Sequence, residues 1–135
     1  MATALYDFAR QGFLSGDIDW DGHTIKAVLI DASDYTVNLA LDDNLDDIPG
    51  AARVATSPAF TGKTTTAGVA DADDILFVSV TGDQSEAIVI YKDTGTESTS
   101  RLIAYIDNAT GLPVTPNGSD ITARWSNGAN KIFRL

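Results

Sequence analysis

Ala87-Ile-Val-Ile-Tyr91 and Leu102-Ile-Ala-Tyr-Ile106 are apolar at every position. Both runs are short, rich in β-branched and aromatic residues and bounded by polar turn residues, which is the pattern of a buried strand. Successive side chains of a strand point to opposite faces, so an unbroken apolar run needs cover on both. One face can pack into the core. The other needs the N-terminal helix, a long loop or another subunit, since an exposed apolar face of several hundred Å² is unusual on a soluble monomer.

Outward from this pair, most of the chain reads as strands divided by turns. The expected strands are Ile25 to Asp31, Tyr35 to Leu41, Arg53 to Ser57, Lys63 to Ala67, Ile75 to Thr81, Glu86 to Lys92, Arg101 to Asp107, Ile121 to Ser126 and Lys131 to Leu135. The separators carry Gly, Asp, Asn and Pro, as in Thr81-Gly-Asp-Gln-Ser85 and Pro116-Asn-Gly-Ser-Asp120. One helical stripe stands apart: Leu5, Phe8, Ala9, Gly12 and Phe13 share a helix face, with Thr3 as N-cap and Gly16 as stop. The expected fold is therefore mainly β, an antiparallel β-sandwich or barrel-like domain over residues 1–135. Residues 1–16 form its N-terminal helical segment, packed on the sheet or on a neighbour. The acidic stretch Asp42-Asp-Asn-Leu-Asp-Asp47 with Ile-Pro-Gly50 is the expected long loop.

A chain of 135 residues with 44% hydrophobic content is long enough to bury a core without staples. Absence of cysteine removes thiolate metal sites and thiol catalysis. The net charge of −10 comes from 19 acidic residues against 9 basic ones, and every acid except Glu86 and Glu97 is Asp, a residue of turns. Such a charge repels phosphate backbones, and the basic residues are scattered singly, so no nucleic-acid partner is expected. No run approaches a membrane span, and the first residues lack a secretory pattern, so no membrane partner is expected either.

Several fragments invite a chemical reading and fail on spacing. Gly16-Asp-Ile-Asp-Trp-Asp-Gly-His-Thr24 contains the Asp-x-Asp-x-Asp-Gly opening of an EF-hand. The twelfth position of that loop would be Val28, which has no ligand oxygen. Period-2 reading instead places Asp17, Asp19 and Asp21 on one face of an extended strand and Ile18 and Trp20 on the other. Thr61-Gly-Lys-Thr64 resembles the end of a phosphate-binding loop, yet Ser57 stands where its first glycine belongs. His23 is the lone histidine and reads as a solvated turn residue. The clusters Asp42/Asp43/Asp46/Asp47 and Asp71/Asp73/Asp74 read as loop solvation, with weak calcium binding as the alternative. Asn108-Ala-Thr and Asn117-Gly-Ser match the glycosylation pattern but read as turns. No catalytic residue, cofactor or metal is expected.

Taken together, Gly16 to Trp20, Ala27 to Tyr35, Ile48 to Thr56, Val89 to Gly95, Arg101 to Asp107, Gly111-Leu-Pro-Val-Thr-Pro-Asn-Gly118 and Trp125-Ser-Asn-Gly-Ala-Asn-Lys-Ile-Phe-Arg-Leu135 resemble a family of small virion structural proteins of tailed bacteriophages. The resemblance spans nearly the whole chain and implies a place in the particle rather than a reaction. Within that class it implies a capsid decoration or cement protein, made in the host cytoplasm and carried in the virion. Its partners would be the major capsid protein and itself, as a homo-oligomer that could be a trimer. The residues expected at its contacts are Leu5, Phe8 and Phe13, with Ile132, Phe133 and Leu135. A tail, baseplate, fibre or head-tail adaptor component is the alternative. A carbohydrate-binding β-sandwich module presenting Trp20, Tyr35 or Trp125 ranks third.

Overall fold

The structure, a computed structural model, describes residues 4–107, 111–126, 128–129 and 131–135. It is mainly β and antiparallel with one short helix, and the sheet does not close into a barrel. The strands are β1 (Ala4–Leu5), β2 (Ile25–Ile30), β3 (Arg53–Thr56), β4 (Val69–Ala70), β5 (Ile75–Phe77), β6 (Ala87–Lys92), β7 (Leu102–Ile106), β8 (Ile121–Ala123) and β9 (Phe133–Arg134). The helix, α1, is Asp7–Ser15. A five-stranded sheet runs β1-β7-β6-β2-β3, and β4-β9 and β5-β8 form two separate pairs.

The two apolar runs are β6 and β7, neighbours at the centre of the large sheet. Every residue from Ala87 to Tyr91 and from Leu102 to Ile106 is at most 6% exposed. Register separates their faces. Leu29 of β2 lies opposite Ile88, which lies opposite Ile106, while Val28 lies opposite Val89 and Val89 opposite Tyr105. Residues paired this way share a face. Over the Leu29/Ile88 face lies the β5–β8 pair, whose Phe77 and Ile121 line a cleft together with Leu29 and Ile88. On the Tyr105 face, Tyr35 brings its ring to 6.4 Å from that of Tyr105. The loop carrying Tyr35 continues through two 3-10 turns that bury Leu45, Ile48 and Ala52. Of the three covers weighed from sequence, loops and short strand pairs close the faces, and α1 adds to them by packing along β7. Each aliphatic side chain so buried contributes about 1.5–3 kcal/mol.

Helix α1 starts later than the periodicity suggests. Tyr6 is its N-cap residue, and Leu5 belongs to β1 beside Ala104. Thr3 lies outside the described residues. Gly16 ends the helix as expected, with φ of 84° and its N–H bonded to the Gly12 carbonyl. Gly12 is there because Ile18 crosses the helix: a Cβ at position 12 would stand 2.8 Å from Ile18 Cδ1.

Three expected strands are not formed. Asp17, Asp19 and Asp21 lie in a turn, although the alternation holds, with Ile18 and Trp20 buried and the three acids exposed. Asp19 Oδ1 accepts from the Gly22 amide and the Asp19 carbonyl from the His23 amide, so the turn satisfies its own backbone. Tyr35 to Leu41 is irregular, and Lys63 to Ala67 makes one bridge, Thr64 to Asp71, before a 3-10 turn at Thr66–Gly68. Trp20 explains the purpose of the 16–24 turn. Its ring meets Phe60 at 6.0 Å and Phe133 at 5.3 Å, both edge-on, while Phe13 meets Phe133 at 5.8 Å and Trp125 meets Phe60 at 5.5 Å. This chain of aromatic contacts ties α1, the 16–24 turn and the C-terminal segment together.

Candidate functional site

The residues expected to meet a partner come from two sequence segments, and the fold joins them. Phe13 of α1 packs on Phe133 of β9, so both segments share one region of surface. Leu5, Ile132 and Phe133 are buried in the chain's own core at 7%, 3% and 5% exposure. Phe8 and Phe13 are half-buried, Phe8 beneath the Arg101 guanidinium at 5.6 Å from its ring centre. Leu135 is 62% exposed, and Leu14, next to Phe13 and absent from the expected set, is 91% exposed. The outward apolar surface here is thus Leu14, Leu135 and the open edges of Phe8 and Phe13. Leu14 escapes sequence reasoning because it lies off the helical stripe and nothing in its neighbours marks it.

The acidic loops hold two groups whose carboxylate oxygens lie within 4.8 Å of one another, Asp31/Asp34/Asp83 and Asp43/Asp46/Asp47. Hard cations favour such oxygens. The same carboxylates also bind the surrounding loop backbone. Asp31 accepts from the Ser33 amide and hydroxyl, and the hydroxyl first, then the amide, hold its carboxyl below the usual range. Asp47 accepts from the Asp43 and Asn44 amides and completes a capping box with Asn44. Burial, then the neighbouring Asp47, raises Asp43. In the other expected cluster, Asp73 accepts from Thr61, Asp74 accepts from the Trp125 amide, and Asp71 pairs with Lys131 at 3.4 Å. Loop closure is what these groups do in the fold.

The remaining fragments resolve similarly. His23 Nδ1 accepts the Asp19 amide at 2.9 Å, so the ring closes the turn before β2. Lys63 donates to the His23 carbonyl, and Gly62 takes a φ of 63° with Asp73 where a Cβ would be, which leaves no phosphate cradle. Asn117 Oδ1 accepts from the Ser119 amide within a turn. Asn108 lies outside the described residues. Trp20 and Tyr35 are buried, and Trp125 is half-buried with its indole N–H on the Asp73 carbonyl, so the three form no open platform for sugar rings. No described helix is long and apolar enough to cross a membrane.

Two features were not legible beforehand. Tyr6, fully buried, donates its hydroxyl to Tyr35 at 2.9 Å, and Tyr35 donates to Asp42 Oδ2 at 2.6 Å. Burial, above all, raises the ionisation of both phenols well beyond the ordinary tyrosine range. The second is the cleft of about 170 Å³ under β5 and β8. Its walls come from segments far apart in sequence, so only the folded chain assembles it. Comparison with known proteins finds no matching family model and no matching curated protein.

Proposed function

We propose that this chain is a structural subunit of a tailed-bacteriophage particle, a decoration or cement protein bound on the outside of the major capsid lattice. The resemblance to small virion proteins motivates the reading, and one structural observation carries it. The Phe13–Phe133 contact unites the N-terminal helix with the C-terminal strand, and Leu14 and Leu135, close to these rings in sequence, are exposed. Apolar side chains of this kind, desolvated against a neighbour, are what anchor an interface.

The mechanism is mechanical. Each subunit adds apolar burial across capsomer seams, and many copies on one lattice act together. The acidic remainder faces solvent. Self-association, as a trimer or another closed ring, would use the same exposed side chains, since the central sheet is covered within the chain. The test is to mix the purified protein with empty expanded capsids and sediment them. Binding that saturates at a fixed ratio, and is lost in Leu14→Asp/Leu135→Asp, is expected. A monomer that never co-sediments with capsids refutes the reading.

A further inference from the structure

The cleft between the central sheet and the β5–β8 pair is walled by Leu29, Phe77, Ile88, Ile121, Ala123 and Trp125. Alternation along β8 and the two residues after it sets what faces the space. Thr122 and Arg124 are exposed, whereas Ala123 is buried and Ile121 and Trp125 are half-buried, so the polar side chains turn to solvent and the apolar ones turn inward. The Trp125 indole N–H is already given to the Asp73 carbonyl at 3.1 Å, and Phe60 lies against its ring at 5.5 Å. That ring is therefore held as a wall with no donor to offer. Phe77, on the paired strand β5, is fully buried.

We propose that this cleft binds small uncharged apolar molecules of about the size of benzene, a role independent of any place in a virion. Size supports this, because dry apolar cavities of roughly 150 Å³ take up benzene, and this one is about 170 Å³. Chemistry narrows the class. With Arg124 turned to solvent, a charged ligand would shed water without meeting a charged side chain among the described residues, which is costly, whereas an uncharged one sheds little. Leu112, Ile121 and Trp125 pack on the core yet stay partly exposed, so a ligand in the cleft they line removes further apolar surface from water. A whole helix or strand of a partner is too large for the space.

Trp125 lines the cleft and Trp20 does not, so the two indoles serve as reporter and control. The full chain, labelled with ¹⁵N and with ¹³C at its isoleucine methyls, is titrated with benzene and, separately, with sodium benzoate. Benzene is expected to shift the Trp125 N–H signal saturably, leave Trp20 in place and show nuclear Overhauser contacts with the Ile88 and Ile121 methyls. It is also expected to bind at least tenfold more tightly than benzoate. Ala123→Leu and, separately, Val114→Phe fill the space from two different segments and are expected to abolish binding, while Arg124→Gln, on the solvent side, leaves it unchanged. An unmoved Trp20 signal confirms the fold of each variant. The proposal is overturned by no saturable shift with benzene, by no contact with the two isoleucines, by benzoate binding as tightly, by a folded filled variant that binds as the parent does, by loss of binding in Arg124→Gln, or by both indoles moving in parallel.

Discussion

Replacing Tyr35 with Phe removes one oxygen and disturbs two hydrogen bonds of unequal weight. Tyr35 gives its proton to Asp42 at 2.6 Å, so its oxygen is free to accept the Tyr6 proton at 2.9 Å. In Tyr35→Phe the Tyr6 hydroxyl, fully buried, loses its partner, and an orphaned buried hydroxyl costs about 1–3 kcal/mol. Asp42 is half-exposed and still accepts from the Asn38 amide at 2.9 Å, so water replaces its lost donor at little further cost. Tyr6→Phe is the milder change. It leaves the Tyr35–Asp42 bond intact and costs about 0.5–1.5 kcal/mol, the net value of one hydrogen bond. In the Tyr35→Phe background the Tyr6 hydroxyl is a liability, so adding Tyr6→Phe should be neutral or stabilising. Urea unfolding of the four proteins, followed by tryptophan fluorescence with unchanged m-values, measures all three quantities. Tyr6→Phe costing as much in the Tyr35→Phe background as in the parent protein would refute the relay.

Two further changes test the packing and charge arguments. Gly12→Ala should destabilise by up to about 2 kcal/mol by thermal or urea unfolding, because overlap with the buried Ile18, about 1–3 kcal/mol, offsets the roughly 1 kcal/mol of helix propensity gained. In an Ile18→Ala background the same change should become favourable, and an unchanged sign would rule out the close approach as the reason for glycine. On the acid side, the Lys26 hydrogen bond, then the Gly95 amide, holds Asp93 below the usual carboxylate range, with Lys26 at 2.8 Å. A depressed folded value contributes stability that is complete above the unfolded value near about 4 and is lost as pH falls toward the folded one. Lys26→Met should therefore flatten the loss of stability between about pH 5 and pH 2, by up to about 1 kcal/mol for a partly exposed pair. Parallel curves for the two proteins would contradict this.

What could be read from sequence was local. The runs Ala87 to Tyr91 in β6 and Leu102 to Ile106 in β7 declare themselves because every residue is apolar, and Gly16 marks the end of α1 because the left-handed conformation there favours glycine. Tyr35 to Leu41 misleads for an instructive reason. Its alternation is real, with Tyr35 buried, Val37 and Leu39 half-buried and the residues between exposed. Strand pairing is nevertheless displaced by local bonds: Asn38 Oδ1 accepts from the Ala40 and Leu41 amides, and Asp42 accepts from the Asn38 amide. Lys63 to Ala67 fails likewise, where Ala67 turns to a φ of 56° and Gly68 to 77°. At the candidate contact surface, the two segments could be named from their aromatics, but which side chains remain outside depends on tertiary packing. Phe133 went inward under Trp20, and Leu14 stayed out.

Central to the molecule is a sheet whose two apolar faces are closed by its own chain, while among the described residues Leu14, Leu41, Val78 and Leu135 stay exposed. Amide hydrogen exchange of β6 and β7, measured at about micromolar and about millimolar protein, tests this most directly. Protection of these strands that is equal to the global unfolding free energy and the same at both concentrations is predicted. Protection that collapses on dilution would show that neighbouring subunits supply the cover, and would contradict it.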